Sequence, residues 1–302
     1  MSIVNPSSTA SNIAATAVPK PRSFWLNLIG HPLGAWGIGI VAAAVLLAVL
    51  APHLPIADPD RQFAQGLTSQ GMPVPPGGRF LLGTDNLGRD MLSRLIWGAR
   101  ISLQIGAFAI LIALGVGVAV GLAAGFCGGW VDLVLMRLTD VVMTVPSILL
   151  AIALAAVHGH ASEAGVYIAI GFASWTGIAR VIRAQVLQVK QKEFIEAAHA
   201  IGCSPLRIAT HHIFPNILPL VVVLGTVNAA GIILLDAGLS YLGLGVPPPT
   251  SSWGKMIADG QEYYLSAPWI LLEPGMVAAI VVVGFNMLGQ ALREVLDPYR
   301  LS

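Results

Sequence analysis

The residues able to do chemistry in this chain are few, and most stand apart from one another. His158 and His160 flank Gly159, a spacing that could hold a divalent metal, but two lone loop histidines are more often plain polar residues. Cys127 and Cys203 have no metal-ligand spacing and are too few for a disulfide framework, so both read as unpaired thiols. Gly254-Lys255 is followed by Met256, and Pro249 stands where a phosphate-binding loop needs its leading glycine. The chain therefore cannot hydrolyse ATP by that route. Gly-x-Ser-x-Gly, His-Glu-x-x-His and Cys-x-x-Cys do not occur in it either.

What remains is chemistry of isolated charges near apolar stretches. Arg137 and Asp140 are three apart and form a candidate intramembrane ion pair, functional or structural. Asp236 either faces a solute path, where it could meet an amine, or sits at headgroup level. Asn228, one or two turns deeper, could hydrogen-bond another span or serve as packing glue. Asp85 and Arg89 are four apart, a spacing that supports a helix leading into the second span.

The elements that must hold these residues follow from composition. Of 302 residues, 56% are hydrophobic and 10% charged, against about 25% charged in an ordinary globular chain. The mean hydropathy is +0.78. So few charges cannot cover the surface of a water-soluble fold, which excludes a cytosolic enzyme or a secreted binding domain. The net charge of +1 gives no basic field for nucleic acid.

A bilayer core takes about 20 apolar residues per helix. Six stretches meet or approach that: 34–51, 101–131, 133–157, 164–179, 208–235 with a continuation to about 242, and 274–292. The fourth is the shortest. All must be helical, because six such spans cannot leave backbone amides unpaired in lipid. Residues 1–22, rich in Ser, Ala and Pro, read as a disordered tail.

Orientation follows from Lys and Arg. With the N-terminus in the cytoplasm, ten basic residues lie inside: Lys20, Arg22, Arg137, Arg180, Arg183, Lys190, Lys192, Arg207, Arg293 and Arg300. Six lie outside: Arg61, Arg79, Arg89, Arg94, Arg100 and Lys255. Both termini are then cytoplasmic. Arg180, Arg183, Lys190 and Lys192 either attract an acidic partner or headgroups, or reflect topology alone.

The inner loop between the fourth and fifth spans carries the densest pattern. Phe194, Ala197, Ala198 and Ile201 fall at i, i+3, i+4 and i+7 and predict one apolar stripe. Gly202 can take the left-handed conformation that ends a helix, and Ser204 then Pro205 read as a cap and first-turn proline of the next. Two helices thus meet at a tight elbow, kept thin by Ala197 and Ala198.

Glu196-Ala197-Ala198-x-x-x-Gly202, followed by Ile213-Phe214-Pro215, resembles the EAA loop of bacterial ABC importer permeases, with Phe214 where Leu is usual. Leu82-Gly-Thr-Asp-Asn-Leu-Gly-Arg-Asp-Met-Leu-Ser-Arg94 and Gly98-Ala-Arg-Ile-Ser-Leu103 resemble the second permease subunit of dipeptide, oligopeptide and nickel importers. Gly128-Gly-Trp-Val-Asp132, Leu239-Ser-Tyr-Leu-Gly-Leu-Gly-Val-Pro-Pro248, Ser252-Trp-Gly254 and Leu292-Arg-Glu-Val-Leu-Asp-Pro298 do so too. Asp236 stands where the family usually carries Glu, one methylene longer.

The resemblance implies an all-α integral membrane protein of the type I importer permease fold, with six transmembrane helices, in the bacterial inner membrane. It divides the chain into a tail (1–22), a first helix with a long outer loop (23–99), a permease core (100–292) and a cytoplasmic C-terminal tail (293–302). It implies a role for Glu196, Ala197, Ala198, Gly202, Ser204 and Pro205 in coupling to an ATPase, and an outer-loop signature at Gly83, Thr84, Asp85, Gly88, Arg89 and Asp90. The implied partners are a homologous second permease, two ATP-binding subunits, an extracytoplasmic solute-binding protein and membrane lipid. ATP and magnesium would be used by the partners, and no cofactor by this chain. Peptide import is the expectation, with nickel or glutathione-like cargo as alternatives within the family. An ATP-independent secondary transporter would show inverted repeats, and none is legible here.

Overall fold

The computed structural model describes residues 24–157 and 162–296. The tail at 1–22 and His158 and His160 lie outside them. The order is α1 (Phe24–Gly30), α2 (Pro32–Leu50), α3 (Met91–Cys127), α4 (Gly129–Met143), α5 (Ser147–Val157), α6 (Glu163–Lys190), α7 (Glu193–Ala200), α8 (Pro205–Arg207), α9 (Phe214–Tyr241), α10 (Trp253–Gly260) and α11 (Trp269–Val295). A π-helical turn, Ile208–Ile213, joins α8 to α9 without a break.

The central pair is α3 and α6, which meet through small residues. A Cβ added at Gly117, Gly121 or Gly125 would lie 2.8 Å from Ile178, 2.5 Å from the Ala179 carbonyl or 2.8 Å from Val186, respectively. Glycine every fourth residue lets two backbones approach closely where lipid supplies no hydrophobic drive. The contacts climb in the same sense along both helices, so α3 and α6 are parallel. The chain must therefore recross the membrane between them.

That return is the bent pair α4 and α5, which turn by 91° at their junction. The predicted continuous span at 133–157 is thus corrected to two helices. Pro146 supplies the cause: it lacks an amide hydrogen and disfavours helical backbone at Val145. Five helical segments are long and apolar enough to cross alone, and the bent pair makes the sixth crossing.

The fourth span is longer than its charge-free stretch. α6 continues to Lys190, so Arg180 and Arg183 lie on a helix and not in a loop. The second span starts at Met91, and the fifth and sixth run to Tyr241 and from Trp269 to Val295. Helix α1 precedes the first span and had no periodic signal in seven residues.

Ile105, Ile170, Ile178, Ile182, Ile195, Ile208, Ile213 and Ile217 share one buried core that runs from the outer half of α3 to the elbow. His31 and Glu294, 3.2 Å apart, join the start of α2 to the end of α11 on the inner side.

Candidate functional site

The elbow is built as its residue types dictate. Gly202 adopts φ +78°, and its amide donates to the His199 carbonyl (3.0 Å) while the Cys203 amide donates to that of Ala198 (3.1 Å). This pair of bonds is the Schellman ending, which needs a left-handed residue at that place. The Ser204 hydroxyl caps the next turn by accepting from the Arg207 amide (3.4 Å), with Pro205 behind it.

The predicted stripe needs correction. Ile195 and Ala198 are buried, and they share the core with Ile208 and Ile213. Phe194, Ala197 and Ile201 point away, with Ile201 79% and Leu206 74% exposed. The elbow thus has an anchored side and an apolar outer side, with Glu193 and Glu196 exposed on the same short helix.

The polar residues around it pair differently from their spacing. Asp140 accepts from Arg180 on α6 (2.8 Å), not from Arg137, which has no ion pair among the described residues. Arg137 and Asp140 share α4, but the Asp140 carboxylate meets Arg180 on the neighbouring α6, so cross-helix geometry decides the partner. Arg183 grips Asp132 through two bonds of 2.5 and 2.6 Å. Lys190 donates to the Phe126 carbonyl (2.7 Å), closing the inner ends of α3 and α6 together. Of the four basic residues in this run, three are thus engaged in holding helices.

Within the spans, Asn228 donates to the Leu224 carbonyl of its own helix (2.8 Å) rather than to another span. Asp236 is 2% exposed and covered inside the chain, and its Oδ1 has no partner among the described residues. One turn on, the buried Ser240 hydroxyl is likewise unpartnered.

The outer signature folds as a polar knot. The expected helix through Asp85 and Arg89 is absent, and α3 begins only at Met91, where Asp90 accepts from the Ser93 amide (2.9 Å). Asp85 Oδ1 accepts from the amides of Leu87 and Arg89 (both 2.9 Å), a turn that its short side chain favours over helix. Its Oδ2 accepts from Arg89 Nε (2.6 Å) and lies 3.3 Å from Arg94 Nε. Buried Thr84 donates to the Gly66 carbonyl (2.6 Å), accepts from the Val74 amide (2.8 Å), and its carbonyl accepts from Trp269 Nε1 (3.1 Å). Gly83 has φ +72°, and a Cβ there would meet the Val74 carbonyl oxygen at 2.7 Å. The knot ties the loop after α2 to the outer ends of α3 and α11. Arg94 closes the Leu82–Arg94 motif but was not among the expected signature residues, and its contact with Asp85 comes from packing.

A bundle with six crossings and a capped elbow at the inner end of its fourth and fifth spans is the architecture of a transporter's membrane component. Residues 117–301 match the family described as "binding-protein-dependent transport system inner membrane component", and the chain belongs to that family. It is a multi-pass protein of the bacterial inner membrane. It is 39% identical over 283 residues to the dipeptide transport system permease protein DppC of Alkalihalophilus pseudofirmus, covering 94% of this chain and 91% of that one. Its identity to the oligopeptide transport system permease protein OppC of Bacillus subtilis is 36%, over 92% and 91% of the two chains. Its identity to the glutathione transport system permease protein GsiD of Pectobacterium atrosepticum is 34%, over 92% and 90%. A structure of the inward-facing MetNI methionine ABC transporter superposes with a TM-score of 0.55 at 20% identity, covering 68% of this chain and 98% of that one. That likeness concerns the fold.

Proposed function

We propose that this chain is the permease subunit of an ATP-driven importer that carries di- and oligopeptides or a related small solute into the cell. The observation that carries the reading is the elbow. Ile195 and Ala198 fix α7 to the core while Phe194, Ile201 and Leu206 stay uncovered beside Glu193 and Glu196. An exposed apolar knob on a rigid elbow at the inner face suits a groove on an ATP-binding subunit. Movement of that subunit would pass through the continuous α8–π–α9 run into the fifth span. A second, homologous permease would complete the path, and an extracytoplasmic binding protein would deliver the cargo. ATP and magnesium would belong to the ATP-binding subunits. Relatives named for dipeptide, oligopeptide and glutathione transport support a peptide-like cargo.

The test is to purify the tagged chain gently from its own membranes and identify its companions by mass spectrometry. Wild type should bring down an ATP-binding subunit and a second permease, and Glu196→Arg should lose the former. If wild type carries no ATP-binding subunit while other membrane complexes survive, the importer reading fails and a self-sufficient transporter replaces it.

A further inference from the structure

In the outer half of the bundle, α2, α3 and α11 leave a cleft of about 290 Å³ between them, lined by Ile40, Ala43, Leu47, Leu95, Val277 and Ile280 among others. Every side chain in its wall is aliphatic except the Trp253 indole, whose N–H is spent on the Leu95 carbonyl (3.1 Å). Leu47 and Ile280 are exposed, so the cleft opens on the outside of the bundle. Leu47 stands one turn before the outer end of α2, and Val277 about two turns after the outer start of α11. At that depth the surrounding medium is hydrocarbon. An empty apolar hollow forfeits contacts on every side, and its walls offer water no partner. An acyl chain restores those contacts.

A carboxylate stands at the outer rim of this cleft. Glu273 precedes Val277 by four residues and Ile280 by seven, so it lies on the same face of α11, one turn nearer the outside. The charge-free run of the sixth span begins directly after it. Its Oε2 is enclosed and has no hydrogen-bond partner among the described residues. The charged group beside it is Asp90 at the start of α3, a second carboxylate. Neither forms an ion pair with a described residue. An enclosed carboxylate oxygen without a donor is costly. The rim therefore calls for a donor that carries positive charge, and the cleft beneath it for a hydrocarbon chain. One kind of bilayer molecule has both.

We propose that α2, α3 and α11 hold one phospholipid with a primary-ammonium headgroup, of the phosphatidylethanolamine type, with an acyl chain in the cleft and the ammonium on Glu273. The N–H donors of a primary ammonium match the orphaned oxygen, whereas a trimethylammonium headgroup has the charge but no donor. An anionic headgroup such as that of phosphatidylglycerol would meet Glu273 and Asp90 with like charge. The site needs only the chain's place in the membrane and stands apart from the transport reading.

The tagged full chain, with the companions that travel with it, is reconstituted in nanodiscs of phosphatidylethanolamine, phosphatidylcholine and phosphatidylglycerol in equal parts with matched acyl chains. It is then released into mild detergent, and the lipid that stays bound is identified by native mass spectrometry. Wild type should retain phosphatidylethanolamine at about fivefold over either of the others. Glu273→Gln, which keeps the shape of the side chain and removes its charge, should still retain lipid but with a preference under about twofold. Ala43→Phe, at an exposed position of the wall, should fill the cleft and remove the retained lipid whatever its headgroup. If Ala43→Phe does not fold, the comparison of wild type with Glu273→Gln decides.

A preference for phosphatidylethanolamine that survives Glu273→Gln overturns the site. Equal retention of phosphatidylcholine, or a preference for phosphatidylglycerol, overturns it as well. If wild type retains no lipid, the cleft has another occupant and the proposal falls; a cross-link from Ala43→Cys to a second protein chain would then mark it as a protein interface.

Discussion

Arg183 of α6 holds Asp132 of α4 through two hydrogen bonds of 2.5 and 2.6 Å, across 51 residues of chain. Asp132 lies in the first turn of α4, where the positive helix end also favours a carboxylate. With Arg180–Asp140 it fixes the bent return against α6.

Exchanging the charges tests this. Arg183→Asp or Asp132→Arg alone should lower the amount of folded chain in the membrane, and the double exchange should restore most of it. A double-mutant cycle should give a coupling of about 1–3 kcal/mol. Arg137→Ala should leave stability unchanged to within about 0.5 kcal/mol, since Arg137 has no ion pair among the described residues.

The parallel packing of α3 on α6 predicts an asymmetry among glycines. Gly121→Leu should destabilise by about 2 kcal/mol or more, because even its Cβ would lie 2.5 Å from the Ala179 carbonyl. Gly115→Ala on the same helix meets nothing within 4 Å and should be neutral or slightly stabilising. Thermal unfolding in detergent compares them.

At the elbow, Ile201→Glu and Leu206→Glu should abolish recovery of an ATP-binding subunit while the chain stays folded, because both side chains are outside the core. Ile195→Ala should instead cost about 2–4 kcal/mol of stability, since that side chain is fully packed. Gly202→Ala should cost about 1 kcal/mol through its positive φ. Size-exclusion profiles together with companion recovery distinguish the two effects.

In the outer knot, Asp85→Asn should be among the most damaging single changes, at about 3–5 kcal/mol, because buried Arg89 loses its carboxylate and buried Arg94 keeps only the half-exposed Asp60. Removal of the exposed Gln65–Arg79 contact by Gln65→Ala should cost less than about 0.5 kcal/mol. Protease sensitivity of the loop after α2 reports both.

Much of this was legible from the chain alone. Composition required a membrane, charge-free runs placed the spans, and the Gly202-Cys-Ser-Pro205 order set both the end of one helix and the start of the next. These are local or solvent-level constraints, written in consecutive residues. Three features were not legible. Asp140 takes Arg180 as its partner instead of Arg137, the apolar residues of α7 divide between core and surface, and Arg94 joins Asp85 across a turn. Spacing along a helix names the neighbours a residue could have. Which face turns inward, and which charge from another helix arrives first, depends on how α3, α4 and α6 pack. That packing is set by glycine contacts between segments about 60 residues apart, such as Gly121 with Ala179 and Ile182. The sequence by itself determined the solvent, the spans and the elbow; only the tertiary structure decided the pairings, because charge partners are chosen by distance in space and not by separation in the chain.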